Sequence, residues 1–191
     1  MSLRYSDVDE VAKPRSLGYQ GYPAFKLGHR EHRTGVLEAF MGRLPPRSRT
    51  DFGAYLEGLR LSECARLSDF ALLGYSEAKL PSDGFSLVHT FEEGTPPFEL
   101  MMEVAGHRHH RTTKIDIGDE LLLEPEPDNQ VYPRAVRVVH DGRRVGYVNR
   151  LQTPVFHRWI KVGAVKAVVE KMNGKADHPR LFAFVWIGHS M

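Results

Sequence analysis

A single cysteine, Cys64, stands in the 191 residues. An intramolecular disulfide and a cysteine-built zinc site are thereby excluded, and a cytoplasmic protein is expected. Within SECARL, at helical spacing, Cys64 reads as a small packed residue rather than a reactive thiol. No apolar run approaches the length of a membrane span, and MSLRYSDVDEV lacks the apolar centre of a secretory signal, so no membrane partner is expected. Catalytic signatures are missing too: no Gly-x-Ser-x-Gly elbow, no phosphate-cradling glycine loop, no His-Glu-x-x-His and no cysteine dyad. Asp116, Asp119, Glu124 and Glu126 lie on expected strands and turns, without the helix-borne pairing of a metal nuclease. The expectation is a protein that is not an enzyme and takes no cofactor. Internal repeats and low-complexity tracts are absent as well.

Charge of one sign is also scarce. The 26 Lys and Arg residues nearly balance 24 Asp and Glu residues, for a net charge of +2. Up to Pro97 the chain has 12 basic and 13 acidic side chains. From Phe98 onward it has 14 against 11, and seven of the ten histidines. A polyanion would find its partner in the second half, since a local patch matters more than the total.

What is present divides at Glu92–Pro97, an acidic stretch followed by Gly-Thr-Pro-Pro. Residues 1–95 are expected to form a helical N-terminal region. Its first sixteen residues read as a loose polar arm. Leu17–Leu27, broken by Gly18, Gly21 and Pro23, reads as an extended segment across the core, and Gly28–Arg33 as a polar link. The pattern predicts a helix over Gly35–Leu44 capped by Thr34, a second from an N-cap at Thr50, and a third over Leu61–Leu67. Ser68–Leu73 leads into a loop, and a strand is expected over Phe85–His89.

Residues 98–191 read as short strands. Phe98–Val104 is the first, and Thr112–Asp119 leads through a turn at Gly118-Asp119 into Leu121–Leu123, which Pro125, Pro127 and Asn129 would end. Asp141-Gly142 between Ala135–His140 and Arg143–Val148 signals a two-residue hairpin. Its simplest register pairs His140 with Arg143, Val138 with Val145 and Val136 with Tyr147 on one face. The other face pairs Val139 with Arg144, Arg137 with Gly146 and Ala135 with Val148. A short helix capped by Thr153, with Pro154 at its first position, would bury Phe156, Trp159 and Ile160 and close at Gly163. Val165–Met172 and Leu181–Ile187 would pair about Asn173-Gly174. Trp159, Phe182, Phe184 and Trp186 read as core. The fold class is α+β, with the helical region packed on a small β-barrel of the OB or SH3 kind.

The ordered set of Val104-Ala105-Gly106-His107-Arg108-His109-His110, Glu126-Pro127-Asp128-Asn129, Ala135-Val136-Arg137-Val138, Val145-Gly146-Tyr147-Val148 and Leu181–Gly188 resembles the HIRAN domain. That small β-barrel module occurs in fork-remodelling helicase-like ATPases and as a free-standing bacterial protein. The resemblance spans Phe98 to the C-terminus. The Arg43–Phe52 run resembles what precedes the module in free-standing members, and is distantly similar to the N-terminal lobe of HipA-type toxin kinases. What the resemblance implies is binding of nucleic acid, as single-stranded or damaged DNA.

The candidate site residues follow from it. Arg108 stands where the family has a DNA-contacting arginine, and His109 where it usually has an aromatic. Asn129 matches an asparagine of the ligand-binding corner, though it also suits a turn on its own account. After it the chain departs from the family pattern with Gln130 and Val131, leaving Tyr132 to stack if the turn shifts. Tyr147 and Arg150 occupy positions near the ligand, with packing of Tyr147 on Val136 the competing role. Gathered in one concave notch, these groups would polarise it positively. On a strand, His107 and His109 would point one way and His110 the other, so the histidines offer few metal ligands to one face and no metal site is expected. Arg43, Arg47 and Arg49 read either as a solvated turn with a salt bridge to Asp51 or as a phosphate-contacting corner. The rival to nucleic acid is a protein partner, with the chain serving as an adaptor of the toxin–antitoxin or phage-defence type.

Overall fold

The computed structural model describes residues 2–5, 8–62, 66–80, 85, 87–91, 96–110 and 114–188. Among the first sixteen residues, those described are not a loose arm. Strand β1 (Leu3–Arg4) pairs antiparallel with β4 (Glu31–His32), and helix α1 (Val8–Ser16) follows β1. The partner of β1 lies nearly thirty residues away, so local pattern could not reveal it. Leu17–Leu27 is extended as expected, folding into the small ladder of β2 (Gly21–Tyr22) and β3 (Phe25–Lys26). Tyr5 clamps it, its hydroxyl donating to the Phe25 carbonyl and accepting from the Tyr22 N–H.

Helix α2 (Val36–Met41) is shorter than its pattern and is preceded by Gly35, with no side-chain cap from Thr34. Helix α3 (Phe52–Glu57) starts after Asp51 rather than Thr50, and the Asp51 carboxylate binds Arg49 instead of capping the helix. Of the third expected helix, Glu63, Cys64 and Ala65 lie outside the described residues, and its described ends are irregular. Helix α4 (Asp69–Tyr75) forms instead, where a lead into a loop was expected. Its start is secured by Ser68, whose Oγ accepts the Ala71 N–H at 3.1 Å. No strand is described at 85 and 87–89, and Glu92–Thr95 of the expected boundary lie outside the described residues. Among its described residues, the N-terminal region therefore has only short helices and two-residue strands.

Six strands make the main sheet: β5 (Phe98–Glu103), β6 (Glu120–Glu126), β7 (Ala135–His140), β8 (Arg143–Tyr147), β9 (Val165–Lys175) and β10 (His178–Ile187), in the order β5-β10-β9-β6-β7-β8. The sheet does not close into the expected barrel. Among the described residues, its two outer strands approach each other at one bridge, Ala105 with Tyr147, just beyond the end of β5. Strand β6 runs on through Pro125; beyond Leu121 it pairs, among the described residues, only with β7, and so accommodates a residue without an N–H. The β9–β10 ribbon turns at 176–177, three residues later than expected, with Gly174 paired to Pro179. Helix α5 (Thr153–Lys161) has Gln152 at its cap and Thr153-Pro154 inside its first turn, one residue off the expected cap. It buries Val155, Phe156 and Trp159. The Gly163 N–H closes onto the Ile160 carbonyl at 3.0 Å.

Strict alternation along β10 makes the sheet two-faced. Leu181, Ala183, Val185 and Ile187 face one core with Val136, Val138, Val145, Phe156 and Trp159. Phe182 and Phe184 face the other way, onto Met101, with Trp186 and Tyr75 of α4 packed alongside. The four aromatics expected in the core are thus split between two layers, Trp186 only half-buried. A separate apolar cluster of Phe25, Val36, Phe40, Leu56, Leu72 and Leu73 holds the N-terminal region together. Arg60 fastens the two regions, lying 4.2 Å from the Phe184 ring centre and paired with Glu170. Among the described residues no helix is long and apolar enough to cross a membrane.

Candidate nucleic-acid interface

The hairpin that carries most of the site starts as its turn residues dictate. Asp141 and Gly142 have φ of 47° and 72°, the left-handed pair of a type I′ turn. His140 then pairs with Arg143 and Val139 with Arg144, as the simplest register requires. Between Val138 and Val139 the register shifts by one residue, so Val138 meets Gly146 and Arg137 meets Tyr147. Val145 is the extra residue of a β-bulge. The pairings of Val138 with Val145, Arg137 with Gly146 and Val136 with Tyr147 do not occur.

Gly146 permits the bulge. Its φ is 152°, and a Cβ there would stand 2.5 Å from Val104 Cγ1 and 2.7 Å from the Ala105 carbonyl oxygen. The close approach lets the Ala105 and Tyr147 backbones exchange hydrogen bonds of 2.8 and 2.9 Å. Val145 turns into the core, fully buried. Tyr147 goes the other way, onto the face that carries Glu124, Arg137 and Arg144.

There Tyr147 joins a compact polar cluster. Its hydroxyl donates to Glu126 Oε2 at 3.0 Å and lies 2.6 Å from Arg144 Nη1 and 3.2 Å from Asn129 Nδ2. Arg144 also reaches Glu126 Oε1 at 3.2 Å, and its guanidinium lies 5.1 Å from the Tyr147 ring centre. Asn129 Nδ2 donates to Glu126 as well, while Asn129 Oδ1 accepts the backbone N–H groups of Val131 and Tyr132 at 3.0 and 2.9 Å. Asn129 therefore holds its own turn and presents an amide to the cluster, so both roles weighed for it are compatible. The hydrogen bond from Asn129, with those from Tyr147 and Arg144, keeps the Glu126 carboxyl below its ordinary range. Partial burial, then the bond to Glu126, raises the Tyr147 phenol.

Along the same turn, Tyr132 supports Arg150, whose guanidinium lies 4.4 Å from the ring centre, and its hydroxyl lies 3.2 Å from Thr153 Oγ1. The segment after Ala105 is a 3-10 turn over His107–His109 rather than a strand. That changes the histidine geometry. His107 is buried with Nδ1 2.9 Å from the Val145 carbonyl, His109 is exposed against Arg108 Nε at 3.1 Å, and the His110 ring lies 6.5 Å from that of Tyr147. Burial, and then the neighbouring positive charge of Arg144, lowers the His110 pKa. Among the described residues no group of three or more His, Cys, Asp or Glu could hold a metal ion.

Of the six residues singled out from sequence, the structure thus brings Asn129 against Tyr147, Tyr132 against Arg150, and Arg108 against His109. The turn at 129–132 joins the first two pairs, and the Ala105–Tyr147 bridge leads to the third. Sequence reasoning missed Glu126, Arg144 and His110 as members. It also expected a positively polarised notch, whereas a carboxylate sits at the centre, its charge offset by Arg144. The bland reading of the proline-rich connection, a solvated turn with a salt bridge to Asp51, fits Arg49 alone, since Arg47 pairs with a different carboxylate and Arg43 is buried. Arg49 binds Asp51, Arg47 binds Asp69 and the Leu67 carbonyl, and buried Arg43 donates to the Phe85 carbonyl at 2.9 Å.

The HIRAN-domain family model matches residues 97–188. That segment runs from the start of β5 to the end of β10 and contains all six candidates. The crystal structure of the HIRAN domain of human HLTF is 19% identical, over 47% of this chain and 76% of that one, with a TM-score of 0.36. A structural-genomics protein from Lactobacillus plantarum is 20% identical over 48% of this chain and 99% of its own length, with a TM-score of 0.37. Among curated proteins, no match is found.

Proposed function

We propose that the HIRAN-matched segment is a binding module for nucleic acid, not a catalyst, and that it takes single-stranded or damaged DNA on the outward face of β6, β7 and β8. The observation that carries the reading is the bulge at Val145, which turns Tyr147 out to meet Asn129 and Arg144. Together they offer an aromatic surface, an amide and a guanidinium, which suit a base and its backbone. Arg108 and Arg150, both exposed, would take phosphates, and His109 and Tyr132 would flank a base. With Glu126 at the centre, the phosphates pass along the rim while the middle reads bases, the division by which phosphate contacts position and base contacts specify. The regions 1–95 and 98–191 act as support and binder, respectively.

Fluorescence anisotropy with labelled single-stranded, duplex and overhang oligonucleotides tests this. Salt-dependent binding is expected, strongest for the single strand, and weakened by Arg108→Ala and Asn129→Ala. Absence of binding at low salt, or binding indifferent to both substitutions, would overturn it. A protein partner remains the second reading, favoured by a cavity of about 390 Å3 lined by Met41, Leu44, Pro45, Phe52 and Leu72. Salt-insensitive binding to a protein, with none to oligonucleotides, would establish that reading instead.

A further inference from the structure

The junction between the two regions contains a buried carboxylate that the site does not use. Glu77 follows α4 and is only 4% exposed. Its backbone is left-handed, with φ of 45°, an uncommon conformation for a residue with a side chain. Oε2 accepts the Glu103 N–H at 3.1 Å, while Oε1 is buried and has no hydrogen-bond partner among the described residues. The neighbouring charges come from every side: Glu103 on β5, Lys79 beyond α4, and Arg180 on β10, with Arg43 donating to the carbonyl of the adjacent Ala78. Glu103 already accepts from Lys79 at 2.7 Å and Arg180 at 2.6 Å, so both cations are committed to it rather than to Glu77.

We propose that Glu77 is a proton-operated clasp: protonated, it holds the N-terminal region on β5, and ionised, it loosens that hold. The physical reason is the cost of a carboxylate with an unpartnered oxygen in a site closed to water. A neutral carboxyl bears that burial more easily. Ionisation favours parting of the Glu77–Glu103 contact so that water can reach Oε1. Beyond the end of the held strand at Glu103, the chain passes through Val104 to Ala105, whose backbone bridges Tyr147 of the polar cluster.

Burial, chiefly, pushes the Glu77 carboxyl up from its ordinary 4.5 to about 7. Because the closed-state value is the higher one, the closed form is favoured at low pH and loses ground as pH rises through about 7. Amide exchange at Glu103 reads this in the full chain, after correction for the intrinsic pH dependence of exchange. Between about pH 6 and pH 8, protection at the Glu103 N–H is expected to fall roughly tenfold in the wild type and to stay level in Glu77→Gln. The same pH dependence in both proteins would overturn the proposal. Carbon-13 NMR of the wild-type glutamate carboxyls decides independently, even if the variant fails to fold. A midpoint near 7 supports the clasp; titration of every glutamate in the ordinary carboxylate range would exclude it.

Discussion

The outward face of the sheet has two halves that obey the same alternation and end differently. On β5 and β10 it presents Met101, Phe182, Phe184 and Trp186, and the N-terminal region covers them through Tyr75 and Arg60. On β6, β7 and β8 it presents Glu124, Glu126, Arg137, Arg144 and Tyr147, and their side chains satisfy one another. An apolar half must be covered, because large aromatic area left in water forgoes the main stabilising term of folding. A polar half whose members are already hydrogen-bonded can remain open. The open half is therefore where a ligand can land, and the covered half is where the fold derives strength.

Substitutions at the two halves should separate stability from binding. The largest effect is expected for Phe184→Ala, which empties a fully buried ring site: about 3–5 kcal/mol lost in urea unfolding, with oligonucleotide affinity of the folded protein retained. Gly146→Ala comes next, since its Cβ would meet backbone at 2.7 Å. A cost of about 1–3 kcal/mol is expected, with loss of binding because the bulge that aims Tyr147 must shift. Loss of binding without any loss of stability would contradict that role for the glycine.

Smaller effects are expected at the open half. Glu126→Gln should leave the melting temperature within a few degrees of wild type but alter the Tyr147 ring environment seen by NMR. In the wild type, the depressed Glu126 pKa fixes the direction of pH dependence. Stability from this group is present above the ordinary carboxylate range and is lost as pH falls through the lowered folded-state value. A cluster that dissolved on raising pH instead would refute the assignment. The smallest effect is expected for Arg108→Ala, which should reduce the slope of log affinity against log salt by about 1, with little change in stability.

How far the sequence could be read follows the same division. Strands with plain alternation, such as Leu181–Ile187, and turns with their own chemistry, such as Asp141-Gly142, were legible because their cause is local. The face on which Tyr147 lies was not, since one extra residue at Val145 reverses every side chain beyond it. A signal existed: a glycine inside a strand often marks a bulge or a close backbone approach, and Gly146 marks both. The β1–β4 ladder and the Glu77–Glu103 contact join residues more than twenty positions apart, and nothing in either segment names its partner. Glu126 and Arg144 escaped for the same reason: their pairing exists only once β6 and β8 flank β7. The histidine run misled because Gly106 starts a tight turn where alternation suggested a strand.

The most direct measurement is the affinity of a labelled single-stranded oligonucleotide for the wild type, Tyr147→Ala and Trp186→Phe at matched salt, with folding of each verified by circular dichroism. Loss of a stacking tyrosine should raise the dissociation constant of Tyr147→Ala at least about fivefold, while Trp186→Phe, on the covered half, should bind as the wild type does. Equal affinity for the folded Tyr147→Ala protein and the wild type would contradict the account.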